Sequence, residues 1–237
     1  MRITLADVVN EIAGAVVTRG PADVVVGDVR CSPVGDVSGD LVVSSAVTEI
    51  DALADARAAR DAGARAFVSA FDVEVAGLSI VRVPDVRRAT ALGASAVHGH
   101  PAYGLDVIVM LVEDDGERAM RAVAAVLQSA GVAFESFIAS GPRAQRLWRD
   151  ATDTMRALRG SRERAIAHVV IALDRDAFDD GLLDAVRVHI VACTSSAAWN
   201  AWAGPIEQLG AEIVVRAGDA AACAEMILAP LGASVFK

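Results

Sequence analysis

The segment Asp106–Gly131, DVIVMLVEDDGERAMRAVAAVLQSAG, constrains the fold more than any other stretch of the chain. Its apolar run Val107–Val112 suits a strand buried on both faces. Ala119, Val123, Val126, Leu127 and Ala130 then recur at three- and four-residue intervals, which makes one apolar helical face. Strand, Gly-containing loop and helix N-terminus is the build of a phosphate-binding loop, where backbone N–H groups and the helix dipole meet the anion. Such a loop needs small residues around the phosphates, a Lys for the outer phosphates and a Ser or Thr for Mg²⁺. Here the loop residues are Glu113, Asp114, Asp115, Gly116, Glu117 and Arg118. Two unit charges about 4 Å apart cost on the order of 1–4 kcal/mol between water and a protein surface, so these carboxylates would repel a triphosphate. The same groups at a helix N-terminus are each stabilised by about 0.3–1 kcal/mol. Two readings of the loop follow. Asp114 and Asp115 cap the helix where phosphates would otherwise sit, or the carboxylates form a site for a divalent cation or an Arg partner.

A chain of 237 residues suffices for one large domain or two ordinary ones. Its apolar content of 54% comes largely from Ala and Val, with aromatics at 4%, which suits close helix–sheet packing in an α/β protein. No apolar run reaches the roughly 18 residues that span a bilayer. Asp7, Asn10 and Glu11 interrupt any signal-peptide core, so the expected location is the cytoplasm, with no membrane partner. A formal charge of −9 argues against nucleic acid. The one locally basic segment, Arg143–Arg164, interleaves Asp150, Asp153 and Glu163 and reads as a solvated helix face. Cys31, Cys193 and Cys223 lie far apart and read as small core residues rather than a disulfide or zinc framework.

Before the central segment, Leu5–Val16 has the pattern of a short amphipathic helix, and Val24–Arg30 is extended. Leu41–Ser44, Ala64–Ser69 and Ile80–Val83 read as strands, and Asp51–Gly63 as a helix. Asp85 can cap a further helix that runs to about His98. Gly99–Gly104, GHPAYG, has the look of a linker, dividing the chain into domains at 1–100 and 105–237.

These pieces resemble the Mur ligases of peptidoglycan synthesis, closest to the ligase that adds the third stem-peptide residue. The family's Asp-Ser-Arg, Gly-Asp-Leu-Phe-Val and Gly-Ala segments correspond to Asp28-Val29-Arg30, Gly39-Asp40-Leu41-Val42-Val43 and Gly63-Ala64. Its Gly-His-Pro, just before the ATP domain, corresponds to Gly99-His100-Pro101. The resemblance implies an α/β fold: a small Mur-ligase-like N-terminal domain, then a reduced parallel-sheet, P-loop-like central domain, with the C-terminal ligase domain absent.

The departures fall on the family's working residues. Val29 replaces the Ser of Asp-Ser-Arg and Leu53 the His of Asp-Gly-His, which removes polar groups from the side that would meet a uracil. Asp28, Arg30 and Asp51 remain at positions that would contact a UDP-sugar. The loop Gly-Thr-Asn-Gly-Lys-Thr is replaced by Glu113–Glu117 with no Lys in either register. Ala172 stands at the position of the family's Mg²⁺-binding Glu, and Trp199-Asn200 at that of a metal-binding Asp-His. Asp174 and Asp176 read either as turn and cap residues or as a new carboxylate pair. His98, His168 and His189 have no ligand partner at metal spacing and read as structural. Phosphoryl transfer depends on Lys and Mg²⁺ to neutralise charge. The expectation is therefore a catalytically inactive homologue with no catalytic residues, metal or cofactor. It would bind or regulate a protein partner such as an active Mur ligase. The alternatives are a sensor of a UDP-sugar or muropeptide, and a ligase subunit completed by another chain.

Overall fold

A computed structural model describes residues 2–113, 116–140, 148–193, 196–217 and 220–235. Two units make up the chain. One comprises the residues up to His100 with Asp150–Met155, the other Pro101–Arg149 with the residues from Arg156 onward.

In the first unit Ile3–Thr4 (β1) runs straight into Leu5–Asn10 (α1). A reciprocal cap fixes that start: the Asp7 N–H donates to Thr4 Oγ1, and the Thr4 N–H donates to Asp7 Oδ2 at 2.8 Å. The apolar pattern predicts helix as far as Val16, but α1 ends at Asn10. Gly14 takes φ +75°, and the β-branched run after it becomes Val16–Arg19 (β2), so a turn and an available strand partner override helical periodicity. Val25–Val26 (β3) pairs antiparallel with β1. Val29–Arg30 (β4), Leu41–Val43 (β5), Ala66–Ser69 (β6) and Ser79–Arg82 (β7) complete a five-stranded sheet in the order β2-β7-β6-β5-β4, parallel except for β2. Glu49–Asp61 (α2) and Val86–Val97 (α3) are its longer helices. Val42, Phe67 and Ile80 meet Ala52, Ala56 and Ala59 of α2, where alanines let helix and sheet approach closely. Asp85 caps α3, its Oδ1 accepting from the Arg88 N–H at 3.0 Å.

The second unit opens with a 3₁₀ turn at Pro101–Gly104. Its strands are Asp106–Leu111 (β8), Phe134–Ala139 (β9), His168–Leu173 (β10), Ile190–Cys193 (β11) and Ile213–Arg216 (β12), all parallel, in the order β12-β11-β8-β10-β9. Its helices are Gly116–Ser129 (α4), the part of Ala151–Glu163 (α5) from Arg156 onward, Arg175–Asp179 (α6), Ser196–Ala201 (α7), Ala203–Leu209 (α8) and Ala220–Val235 (α9). Alternate residues of the sheet, Ile108 and Met110 with Val170, Ala172 and Ala192, pack under Met120, Val123 and Leu127 of α4 and Cys223 and Ile227 of α9. The other set, including Val107, Val109, Val169 and Ile171, is equally buried, as expected of a parallel sheet covered on both faces. From β8 the chain moves to one side of the sheet, and from β11 to the other. The C-terminal ends of these adjacent strands therefore border a topological switch point, where open α/β sheets bind ligands.

Candidate functional site

The crevice at that switch point starts from the end of β8. Val112 extends the strand by donating its N–H to the Leu173 carbonyl at 3.0 Å, and Glu113 then emerges exposed. Glu113 has no hydrogen bond or ion pair among the described residues. Asp114 and Asp115 lie outside the described residues. Gly116, the first residue of α4, is buried: a Cβ there would stand 2.5 Å from Ser140 Oγ and 3.2 Å from Val112 Cγ2. Ser140 and Val112 thus fill the space beside this glycine. Glu117 is exposed and pairs with Arg121 one turn on, at 3.5 Å.

From β10 the chain turns into α6 through Asp174, whose Oδ1 accepts from the Ala177 N–H at 2.8 Å. That carboxylate caps the helix. Arg175 follows. Its Nε donates to Asp179 Oδ2 at 3.0 Å, its Nη1 to the Ala201 carbonyl at 3.4 Å, and its guanidinium lies 5.7 Å from the centre of the buried Trp202 ring. Phe178 meets Trp202 edge-on at 5.9 Å. Val112, Glu113, Arg175, Ala201 and Trp202 line a cavity of about 390 Å³. Reading from the sequence singles out Glu113 but neither Arg175 nor Trp202 as site residues; the available signal was position, since Arg175 directly follows a parallel strand's C-terminal end.

Ala172, at the position of the family's metal carboxylate, is fully buried within β10 opposite Met110 and Ile138. Arg216 lies over the Trp199 ring at 5.0 Å. Burial pushes the Cys193 thiol up to about 11, against the opposing effect of the Arg216 charge. Among the described residues no three His, Cys, Asp or Glu side chains are placed to hold a metal ion. Among the described residues, an unpaired Glu113 and a buried alanine at position 172 supply neither the positive charge nor the metal ligand that a Mg²⁺–triphosphate calls for, so they do not fit that group. The chain's single lysine is Lys237.

In the first unit Arg30 and Asp28 come together. Arg30 Nε donates to Asp40 Oδ2 at 3.1 Å, and its Nη2 lies 3.6 Å from Asp28 Oδ2. Asp28 Oδ1 accepts from the Val29 N–H at 2.7 Å and lies 3.2 Å from His98 Nε2. Asp51 is engaged elsewhere, accepting from Thr48 Oγ1 at 2.7 Å in the first turn of α2. A second cavity, of about 310 Å³, is lined by Val24, Val25, Gly27, Gly39 and Arg65. Two further histidines flank one carboxylate: Asp106 Oδ2 is 3.0 Å from His168 Nδ1, and Asp106 Oδ1 is 3.7 Å from His189 Nε2. Of the basic segment, Arg143 and Arg146 lie outside the described residues; Arg159 pairs with Glu163, and Arg164 grips Glu135 through two nitrogens.

Among the described residues no helix is long and apolar enough to cross a membrane. No family profile matches the chain, and no curated protein matches it in sequence. Solved structures match its fold. A UDP-N-acetylmuramoyl-L-alanyl-D-glutamate–2,6-diaminopimelate ligase superposes with a TM-score of 0.67 at 14% identity, over 91% of this chain and 47% of the ligase. The UDP-N-acetylmuramoylalanyl-D-glutamyl-2,6-diaminopimelate–D-alanyl-D-alanyl ligase of Acinetobacter baumannii gives 0.55 at 14% identity, over 82% of this chain and 43% of the ligase. MurF from the same organism gives 0.56 at 14% identity, over 81% and 40%. The chain therefore spans less than half the length of these ligases, and over most of its own length it has a Mur ligase fold.

Proposed function

We propose that this chain is a catalytically inactive Mur ligase homologue that works by binding, as a regulatory partner in peptidoglycan synthesis, with an active Mur ligase as the protein it engages. The observation that carries this reading is the end of β8. A phosphate-binding loop stabilises its ligand with backbone N–H groups, a lysine and a metal. At the matching place stands an exposed Glu113 that has no ion-pair partner among the described residues. Ala172, buried in β10, offers no metal ligand. Each loss alone could be offset; together they take away the lysine and the metal carboxylate on which phosphoryl transfer in the family relies. What persists is the fold, whose elements would serve as a binding surface.

Calorimetric titration of the purified protein with ATP–Mg²⁺, and separately with a UDP-muramoyl peptide, tests the proposal. No heat from ATP–Mg²⁺ together with retention of a Mur ligase in a pull-down is the expected result. Binding of ATP at micromolar concentration would overturn it. Heat from the sugar nucleotide alone would favour a sensor, which the pairing of Arg30 with Asp40 and Asp28 argues against, because a UDP-sugar would have to displace those partners.

A further inference from the structure

The second sheet ends on a strand whose charges are complementary to themselves. β12 has β11 as its only strand partner among the described residues. Toward β11, the Ile213 N–H donates to the His189 carbonyl at 2.9 Å and the Ala217 N–H to the Cys193 carbonyl at 3.1 Å. Backbone groups alternate in direction along a strand, so the N–H and C=O of Val214 and Arg216 point to the outer edge. That edge is open: Ile213 is 39% exposed and Val214 42%. Charges protect such an edge when they repel an approaching strand. Here the two are of opposite sign, Glu212 just before β12 and Arg216 at its end, and both are exposed.

We propose that β12 pairs antiparallel with β12 of a second copy of this chain, about a two-fold axis at Val214, joining the two five-stranded sheets into one. Strand residues two apart share a face, so Glu212, Val214 and Arg216 lie on one side of the ribbon. Centred on Val214, the antiparallel register sets that valine beside its own counterpart and Glu212 opposite Arg216 of the second copy, twice by symmetry. The same register opposes residues whose N–H and C=O face outward, so each opposed pair exchanges two hydrogen bonds. Parallel pairing in register would put Glu212 on Glu212 and Arg216 on Arg216, where like charges repel. Within its own chain Glu212 accepts from Arg187, and Arg216 lies over the Trp199 ring. Both charges are thereby positioned, and a carboxylate has lone pairs for a second guanidinium. The other edge strand, β9, has no such symmetry: its one charge, Glu135, is already gripped by Arg164. This inference stands on the strand edge and does not rest on the reading of the chain as a ligase partner.

Sedimentation equilibrium of the full chain tests the proposal. The contact is built on a four-residue strand, so a monomer–dimer equilibrium in the micromolar range is the expected result. Val214→Pro removes the central outward N–H and leaves the bonds to β11 in place, and it should abolish the dimer. Arg216→Glu and Glu212→Arg each oppose like charges at both ends of the pair, and each should weaken the dimer about tenfold or more. Mixed in equal amounts, these two variants should form a heterodimer, because opposite charges then meet across the axis; native mass spectrometry reads it. Circular dichroism and urea unfolding establish that each variant is folded. A wild-type chain that stays monomeric up to about 1 mM would overturn the proposal. So would a dimer unchanged in Val214→Pro, or a mixture of the two charge variants that yields no heterodimer.

Discussion

Ser140 Oγ lies 2.5 Å from the point where a Cβ on Gly116 would stand. An added Cβ at the start of α4 would therefore displace the Ser140 hydroxyl, and Ser140 Cβ and Val112 Cγ2, each 3.2 Å away, limit how far the site can yield. Gly116→Ala should cost about 1–3 kcal/mol, the range for overpacking a filled site. Urea unfolding of the variant beside the wild type measures the loss. The double variant Gly116→Ala/Ser140→Gly should recover most of it. Wild-type stability in the single variant would mean that the Ser140 side chain turns aside and the start of α4 yields freely.

Asp40 holds Arg30 in the first unit through a side chain that is only 11% exposed. Asp40→Ala removes the acceptor of the Arg30 Nε–H and leaves Asp28, at 3.6 Å, as the remaining anion beside the guanidinium. The expected loss is about 1–2 kcal/mol, toward the lower end for a charged hydrogen bond because Arg30 is 42% exposed and water takes up part of its charge. Denaturant unfolding gives the number. If Arg30 instead serves a UDP-sugar, Asp40→Ala would free it and strengthen that binding, a result opposite to the one the paired geometry predicts.

The parallel-sheet unit was legible because β8 is an unbroken apolar run and the repeats of α4 match one buried face. β9 was not: Phe134–Ala139, FESFIA, is an edge strand carrying Glu135 and Ser136, and its partly exposed positions dilute any period. α1 was overextended because Val8, Val9 and Ile12 keep helical spacing past a turn that only Gly14 announces. At the candidate site, Glu113 could be found from its place after a strand. Trp202 could not, since it stands between α7 and α8 and reaches the crevice only through the fold. Asp28 and Arg30 are singled out in the sequence by the resemblance of Asp28-Val29-Arg30 to the family's Asp-Ser-Arg. Asp40 and His98, which lie against them, come from residues 10 and 70 positions beyond them, a proximity no local pattern encodes.

The three cysteines differ in environment. Cys31 is exposed, whereas Cys193 and Cys223 are buried. Burial raises the Cys193 thiol to about 11, so that roughly one molecule in a thousand carries the thiolate at pH 8 even before access is considered. Iodoacetamide at pH 8 should therefore modify Cys31 quickly and leave the other two intact, as read by mass spectrometry of peptides. Unfolding in guanidinium should make all three equal. Fast labelling of Cys193 in the native protein would show that the end of β11 opens readily.

Asp7 and Glu212 both sit below the ordinary carboxylate range, for different reasons. Asp7 is lowered first by the Thr4 backbone N–H and then by the Thr4 hydroxyl. Glu212 is lowered first by a hydrogen bond from Arg187 and then by the charges of Arg187 and His189. A carboxylate whose folded pKa is depressed adds stability that is present above its unfolded pKa and is lost as pH falls through the folded value. Asp7→Asn and Glu212→Gln should thus each be less stable than the wild type at pH 7, with the difference closing below about pH 4. Salt separates the two. Screening weakens the charge contribution at Glu212, so its deficit should shrink in about 1 M NaCl, where the Debye length is near 3 Å. The deficit of Asp7→Asn, which comes from a hydrogen-bonded cap, should stay nearly the same. Equal salt sensitivity in the two variants would show that Asp7 acts on the α1 N-terminus chiefly through its charge rather than through the bonds to Thr4.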